Sequence, residues 1–144
     1  MDGIIKAIGT NPLFTEIRRD LHRHPEIGFQ EHRTAERVAR ELTGWGWTVH
    51  AGIGGTGVVA TLKRGSGAGA IGLRADMDAL AMQEANTFEH RSRHANCMHG
   101  CGHDGHTAIL LAAAWYLATT AEFDGTVHCI FQPAEEGGRR APRP

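Results

Sequence analysis

The stretch Met98-His99-Gly100-Cys101-Gly102-His103-Asp104-Gly105-His106 concentrates side chains that bind a transition metal or move a proton. Five of its nine residues are of that kind: His99, Cys101, His103, Asp104 and His106. Cys101 and His103 form a short Cys-x-His pair. A thiolate and a neutral imidazole are the ligands that zinc and its borderline neighbours prefer. The glycines between them let the backbone turn tightly enough for the side chains to converge. Metal ligands in a loop that opens onto a helix are the first expectation.

Two acidic segments could join that loop. Asp76-Met77-Asp78 and Gln132-Pro133-Ala134-Glu135-Glu136-Gly137 each follow a predicted strand. Sites in open α/β sheets form beyond the carboxyl ends of strands, so this placement brings Asp76, Asp78, Glu135 and Glu136 towards Cys101 and His103. Adjacent glutamates can divide roles, one binding a metal and its neighbour acting as a base on a water. Taken singly, every one of these residues has a plainer reading. Asp76 and Asp78 read as turn residues bonding the backbone, Glu135-Glu136 as a solvated pair, and Cys101 as a small buried hydrophobe. His22 and His24 read as exposed residues favoured by a helix C-terminus. Three compatible segments beside one histidine cluster argue for shared chemistry.

The elements that must position them follow from pattern. Asn11-Pro12 is a cap followed by a first-turn proline, and Phe14, Ile17 and Leu21 recur at helical spacing until Pro25. A second helix is expected over about 31–45, with Thr34, Val38 and Leu42 on one face. Strands are expected at 47–50, 57–62, 70–75 and 126–131, the last after the Asp124-Gly125 turn. Residues 77–100 lack periodicity and read as a long functional loop. A helix from Thr107, with Ile109, Leu110, Ala113, Ala114 and Leu117, is apolar enough to be covered on both sides. This order makes a layered α/β domain with a mixed sheet.

Composition narrows the class. At 144 residues the chain suits one domain. Its formal net charge of −1 gives no case for nucleic acid or an anionic membrane. No apolar run nears a membrane span, and the first residues lack a signal-peptide pattern. Three cysteines, an odd number, do not suggest a disulfide framework and fit a reducing, cytoplasmic setting.

Four motifs then carry a family resemblance. They are Arg19-Asp20-Leu21-His22-Arg23-His24-Pro25-Glu26-Ile27-Gly28-Phe29, Leu73-Arg74-Ala75-Asp76-Met77-Asp78-Ala79-Leu80, the Met98–His106 loop, and Phe131-Gln132-Pro133-Ala134-Glu135-Glu136-Gly137. In this order, across about residues 13–138, they resemble the M20 metallopeptidase family. The resemblance is closest to its amidohydrolase branch, which includes hippurate hydrolases, N-acyl-amino-acid hydrolases and auxin-conjugate hydrolases.

The resemblance implies a three-layer α/β/α zinc-peptidase-like catalytic domain, here incomplete, whose relatives add a lid domain. It implies two divalent metals per complete site, Mn2+ or Zn2+, with Co2+ or Ni2+ as further options. By motif position Cys101, His103 and Glu136 would be metal ligands, Glu135 the general base, and Asp78 the aspartate that orients the metal site. The implied substrate is a small N-acyl amino acid, and full-length relatives would be homo-oligomers. His99, Asp104 and His106 belong to the motif without a ligand role being carried over.

The match has departures. Ala81 stands where the family usually has proline, and Gly100 where it usually has alanine. Residues 1–138 read as the N-terminal part of the catalytic domain. Residues 139–144, with two prolines and three arginines in the last six positions, read as a disordered, aberrant tail. The expectation is a truncated reading frame, with two further histidine ligands and the lid beyond it, and with weak or no turnover by this chain alone. The competing readings are a non-catalytic metal-binding fragment and a small structural zinc module using Cys97, Cys101, His103 and a further histidine.

Overall fold

The computed structural model describes residues 2–137. The expected tail at 139–144 lies outside the described residues. Helix α1 (Asp2–Gly9), which the sequence reading did not anticipate, leads into α2 (Pro12–Arg23) and α3 (His32–Gly44). Strands β1 (Thr48–Ile53), β2 (Gly57–Arg64) and β3 (Ala70–Asp76) follow, then α4 (His103–Thr119) and β4 (Gly125–Gln132).

Helix α2 starts where its cap dictates. The Asn11 side chain accepts a hydrogen bond from the Leu13 N–H at 3.0 Å, with Pro12 at the first helical position. Its buried stripe is Phe14, Ile17 and Leu21, joined by His22. Thr34, Ala35, Val38 and Leu42 form the buried face of α3. Across the gap, Arg33 and Arg37 of α3 both reach Asp20 of α2.

The sheet has the order β1-β2-β4-β3 and is mixed, as expected. β1–β2 and β2–β4 run antiparallel, and β3–β4 runs parallel. The parallel pair matters most for the site. Register places Asp76 beside Gln132, so the residues following β3 and β4 leave the sheet side by side. Alternation on β4 sends Val127, Cys129 and Phe131 into the core with Val58 and Ala60 of β2, against Ile17, Leu21, Val38, Leu42 and Leu111. The described residues supply the sheet and the helical layer on this face; on the other face Ile130 is exposed. Among the described residues, no helix is long and apolar enough to cross a membrane.

Two expectations about α4 need correction. The helix opens at His103, one turn earlier than Thr107. Gly102 takes the left-handed conformation (φ 83°), and its carbonyl accepts from the N–H groups of Gly105 and His106 at 2.9 and 3.1 Å. His103 and His106 therefore share the first helical turn. Nor is α4 covered on both sides. Leu110, Leu111 and Ala114 are buried, whereas Ile109 is 69% exposed.

The long segment 77–100 has neither helix nor strand, but it is tied down. Met77 N–H donates to Gln132 O (3.0 Å), Ala79 N–H to Glu26 O (2.8 Å), and Leu80 and Met98 exchange backbone bonds (2.9 and 3.1 Å). The loop thereby closes over the end of α2 and delivers Cys101 beside the strand ends.

Candidate metal centre

Asp78 sits two residues past β3 and is buried. His103 Nδ1 lies 2.9 Å from the Asp78 carbonyl and 3.1 Å from its Oδ1. Two oxygens and no donor face that nitrogen, so it carries the proton and the lone pair is on Nε2. The other oxygen, Asp78 Oδ2, accepts the Glu136 backbone N–H at 2.9 Å. One buried carboxylate thus fixes the ring of a helix residue and the backbone of the turn after β4. The plain reading of Asp78 as a backbone-bonding residue is half right, because the backbone it bonds is 58 positions away.

The free Nε2 of His103 faces a cluster of acids. It lies 3.6 Å from Glu136 Oε1, 3.5 Å from Asp76 Oδ1 and 3.9 Å from Glu135 Oε2. Cys101, His103 and Glu136 each offer one ligand atom, and these lie within 4.8 Å of one another. Cys101 is exposed rather than a buried hydrophobe. Its thiol is held above its ordinary value chiefly by the neighbouring Glu136 carboxylate, with burial and the charges of Glu135 and Asp78 acting in the same sense. A cation held here would take the place of the proton on sulfur. The donor set of one thiolate, one imidazole with its second nitrogen anchored, and one carboxylate suits zinc or a borderline divalent ion.

The turn carrying the two glutamates is shaped by residues the sequence did not flag. Ala134 has φ 53°, uncommon for a residue with a Cβ. Its N–H donates to Glu31 Oε1 at 2.8 Å, and Thr56 Oγ1 donates to Glu31 Oε2 at 2.5 Å. Glu31 is fully buried. Gly28 leaves the room for this turn: a Cβ there would lie 2.9 Å from Ala134 Cβ. Glutamate just before a helix reads as solvated, so only the fold reveals its task.

The histidines of the first motif also differ from expectation. His22 is buried, not an exposed helix end. Its Nδ1 lies 2.8 Å from Asp104 Oδ2 and its Nε2 3.1 Å from Glu84 Oε1. Burial pushes the Glu84 carboxyl up, but bonds from Ser92, Asn86 and His22 bring it below its ordinary value. His24 is half-buried and its Nδ1 meets His94 Nε2 at 3.4 Å. His99 is buried, its ring nitrogens meet no partner among the described residues, and burial drives it down to about 4. Asp104 and His22 lock the start of α4 onto α2, an arrangement legible from neither motif alone.

The structural zinc module is not what the geometry assembles. Cys97 Sγ turns to the Pro25 carbonyl at 3.4 Å, and among the described residues it joins no group of converging ligand atoms. All three cysteines are free thiols. Buried Cys129 is pushed up to about 12 by burial, which leaves it inert.

Comparison with known proteins fits this geometry. The hippurate hydrolase of Campylobacter jejuni is 52% identical over 124 residues, spanning 86% of this chain and 32% of that protein. The IAA-amino acid hydrolase ILR1-like 4 of Arabidopsis thaliana is 48% identical over 123 residues, 85% of this chain and 28% of that one. The chain thus spans about a third of the length of these relatives. Among solved structures, the Bacillus subtilis YXEP protein, described as a dinuclear metal binding peptidase from the M20 family, superposes with a TM-score of 0.81. It is 42% identical, and the match covers 91% of this chain and 36% of that one. An aminobenzoyl-glutamate utilization protein from Klebsiella pneumoniae gives a TM-score of 0.73 at 29% identity, covering 93% of this chain and 40% of that one. Residues 72–143 match the profile described as peptidase family M20/M25/M40. With two strand ends and the opening of α4 meeting at His103, and with these relatives on its side, the chain belongs to the M20 peptidase family.

Proposed function

We propose that this chain carries the front part of an amidohydrolase site that cleaves the amide bond of small N-acyl amino acids, hippurate-like substrates among them. The observation that supports it most is the convergence of Cys101 Sγ, His103 Nε2 and a Glu136 oxygen within 4.8 Å, with Glu135 alongside. In this reading Cys101, His103 and Glu136 hold a divalent cation, and residues 1–138 are the N-terminal part of the catalytic domain. A bound cation supplies a lowered water pKa, from about 16 towards about 7, and polarisation of the scissile carbonyl.

The chain's own residues do the rest. Asp78 keeps the His103 ring in the tautomer that presents Nε2, and holds the Glu136 backbone in place. Glu135, half-exposed and 3.9 Å from His103 Nε2, accepts the proton of the attacking water and returns it to the leaving amine nitrogen. Mn2+ and Zn2+ are the proposed cations. Its three free thiols fit the cytoplasmic setting we propose with it.

Activity of these 144 residues alone is a separate proposal. The resemblance implies two more histidine ligands outside the motifs present here, so three ligands hold a cation weakly and turnover is weak or nil. Hippurate hydrolysis by the purified chain with added Mn2+ or Zn2+ tests this, and robust metal-dependent turnover contradicts it. The function itself is tested by a chimera in which residues 13–137 replace the matching segment of the C. jejuni hippurate hydrolase. Metal-dependent hippurate cleavage that falls roughly 100- to 10,000-fold in Glu135→Gln supports it. A folded, metal-loaded chimera without turnover, or one indifferent to Glu135→Gln, refutes it.

A further inference from the structure

Glu31 stands at the N-cap of α3, yet its side chain makes no cap hydrogen bond there. The cap falls to Glu26, which accepts the Arg33 N–H on Oε1 at 3.0 Å and the Thr34 N–H on Oε2 at 2.8 Å. Released from its own helix, the fully buried Glu31 side chain bridges two other segments. Its Oε1 accepts the Ala134 N–H at 2.8 Å, and its Oε2 accepts the Thr56 hydroxyl at 2.5 Å. Two residues that carry a Cβ have positive φ around this bridge, Phe29 at 62° and Ala134 at 53°. Such backbone persists only where its surroundings over-determine it. The surroundings are tight: a Cβ on Gly28 would lie 2.9 Å from Ala134 Cβ, and one on Gly57 would lie 3.1 Å from Pro133 Cδ.

We propose that Glu31 is a positioning residue for the proposed reaction: through the Ala134 N–H it holds that backbone left-handed and so aims Glu135 and Glu136 at His103. The inference rests on the reading of the centre given above. The relay is short. Thr56 fixes Oε2, Oε1 fixes Ala134, and two residues further on the Glu136 N–H meets Asp78 Oδ2 at 2.9 Å. The turn is held at both ends. Loss of the first anchor lets Ala134 return to the right-handed or extended backbone that a Cβ favours. The next peptide then leaves in another direction, which draws the Glu136 N–H away from Asp78. It also draws the two carboxylates away from His103 Nε2, from which they stand at 3.6 and 3.9 Å. Glu31 is not itself a ligand, and its effect reaches the centre only through this turn.

The test measures Zn2+ affinity of the 144-residue chain by competition with a chromophoric chelator. Glu31→Ala is expected to weaken binding about tenfold, the low end of what a group behind a ligand contributes. Glu31→Asp keeps the charge but is one methylene too short to span Ala134 and Thr56. It should weaken binding about fivefold, and it decides the matter if the alanine variant does not fold. Glu31→Gln keeps an oxygen for the Ala134 N–H and an N–H for the Thr56 hydroxyl, so it should bind within about twofold of the parent. A general loss of stability would add to any other change, whereas a loss relayed by the turn vanishes once its target is gone. In a Glu136→Gln chain, Glu31→Asp should therefore cost less than about twofold. Glu31→Asp binding Zn2+ as the parent does, Glu31→Gln binding as weakly as Glu31→Asp, or an undiminished Glu31→Asp loss in the Glu136→Gln chain overturns the inference. Glu136→Gln that by itself leaves Zn2+ affinity unchanged overturns the reading of the centre, and this inference with it.

Discussion

Asp78 and Glu136, 58 positions apart, are joined by a 2.9 Å hydrogen bond from the Glu136 backbone N–H to Asp78 Oδ2. The same aspartate receives His103 Nδ1 on its carbonyl and its Oδ1. Two of the three proposed ligands are therefore set by one buried group that is not itself a ligand. Asp78→Ala frees both. It should lower Zn2+ affinity about 10- to 100-fold, read by competition with a chromophoric chelator, with Cys101 unchanged in the sequence. Affinity equal to the parent would remove Asp78 from the account.

Glu135 and Cys101 should separate cleanly. Glu135→Gln retains a side chain of the same size and removes only the base, so Zn2+ affinity should stay within about threefold of the parent. Cys101→Ala removes sulfur from a three-ligand set and should weaken Zn2+ binding at least tenfold. Isothermal titration of both variants checks this. Equal losses in the two would mean that Glu135 is a ligand and not the base.

The buried trio of His22, Asp104 and Glu84 should carry stability. His22→Ala leaves two buried carboxylates without their shared partner, though Arg18 Nε remains 3.3 Å from Asp104 Oδ2. Leaving a buried polar group short of its hydrogen-bond partner costs about 1–3 kcal/mol. Urea unfolding should show a loss of this size, and a change below about 1 kcal/mol, the level of a surface pair, would contradict the buried network.

Acid should loosen the α2–α3 contact. Arg33 Nη2 donates to both oxygens of Asp20 at 2.8 and 3.0 Å, and Arg37 Nη1 donates at 3.2 Å. Burial works to raise the Asp20 pKa, but the Arg33 hydrogen bond and the two guanidinium charges outweigh it and leave it below 3.8. A carboxyl depressed in the folded state stabilises it above the ordinary value and loses that contribution as pH falls through the lower, folded value. Asp20→Asn should therefore cost about 0.5–1 kcal/mol near neutral pH, with the gap to the parent closing as pH falls below 3.8. A gap that persists unchanged at pH 2 would assign the effect to packing instead.

Much of this arrangement was legible in the residues, and the omissions have physical causes. Caps, periodicity and turn residues placed α2, α3 and the strands, because Asn11-Pro12 and the apolar stripes act locally. The meeting of Cys101, His103 and Glu136 was readable from three segments flanking predicted strands. The buried roles of His22 and Glu31 were not. Each is a polar residue whose partner lies far along the chain, and no local pattern distinguishes a buried, paired carboxylate from a solvated one. The early start of α4 was hidden because Gly102 supplies its turn through a left-handed backbone, which glycine permits but does not announce. Ile109 was expected to be covered because an apolar side chain says nothing about which partner reaches it.

The most direct measurement is zinc X-ray absorption on the Zn2+-loaded 144-residue chain and its Cys101→Ser variant. The expected spectrum has one sulfur at about 2.3 Å together with nitrogen and oxygen ligands at about 2.0–2.2 Å, and the variant loses the sulfur. A parent spectrum without sulfur, or a sulfur that survives Cys101→Ser, would contradict it.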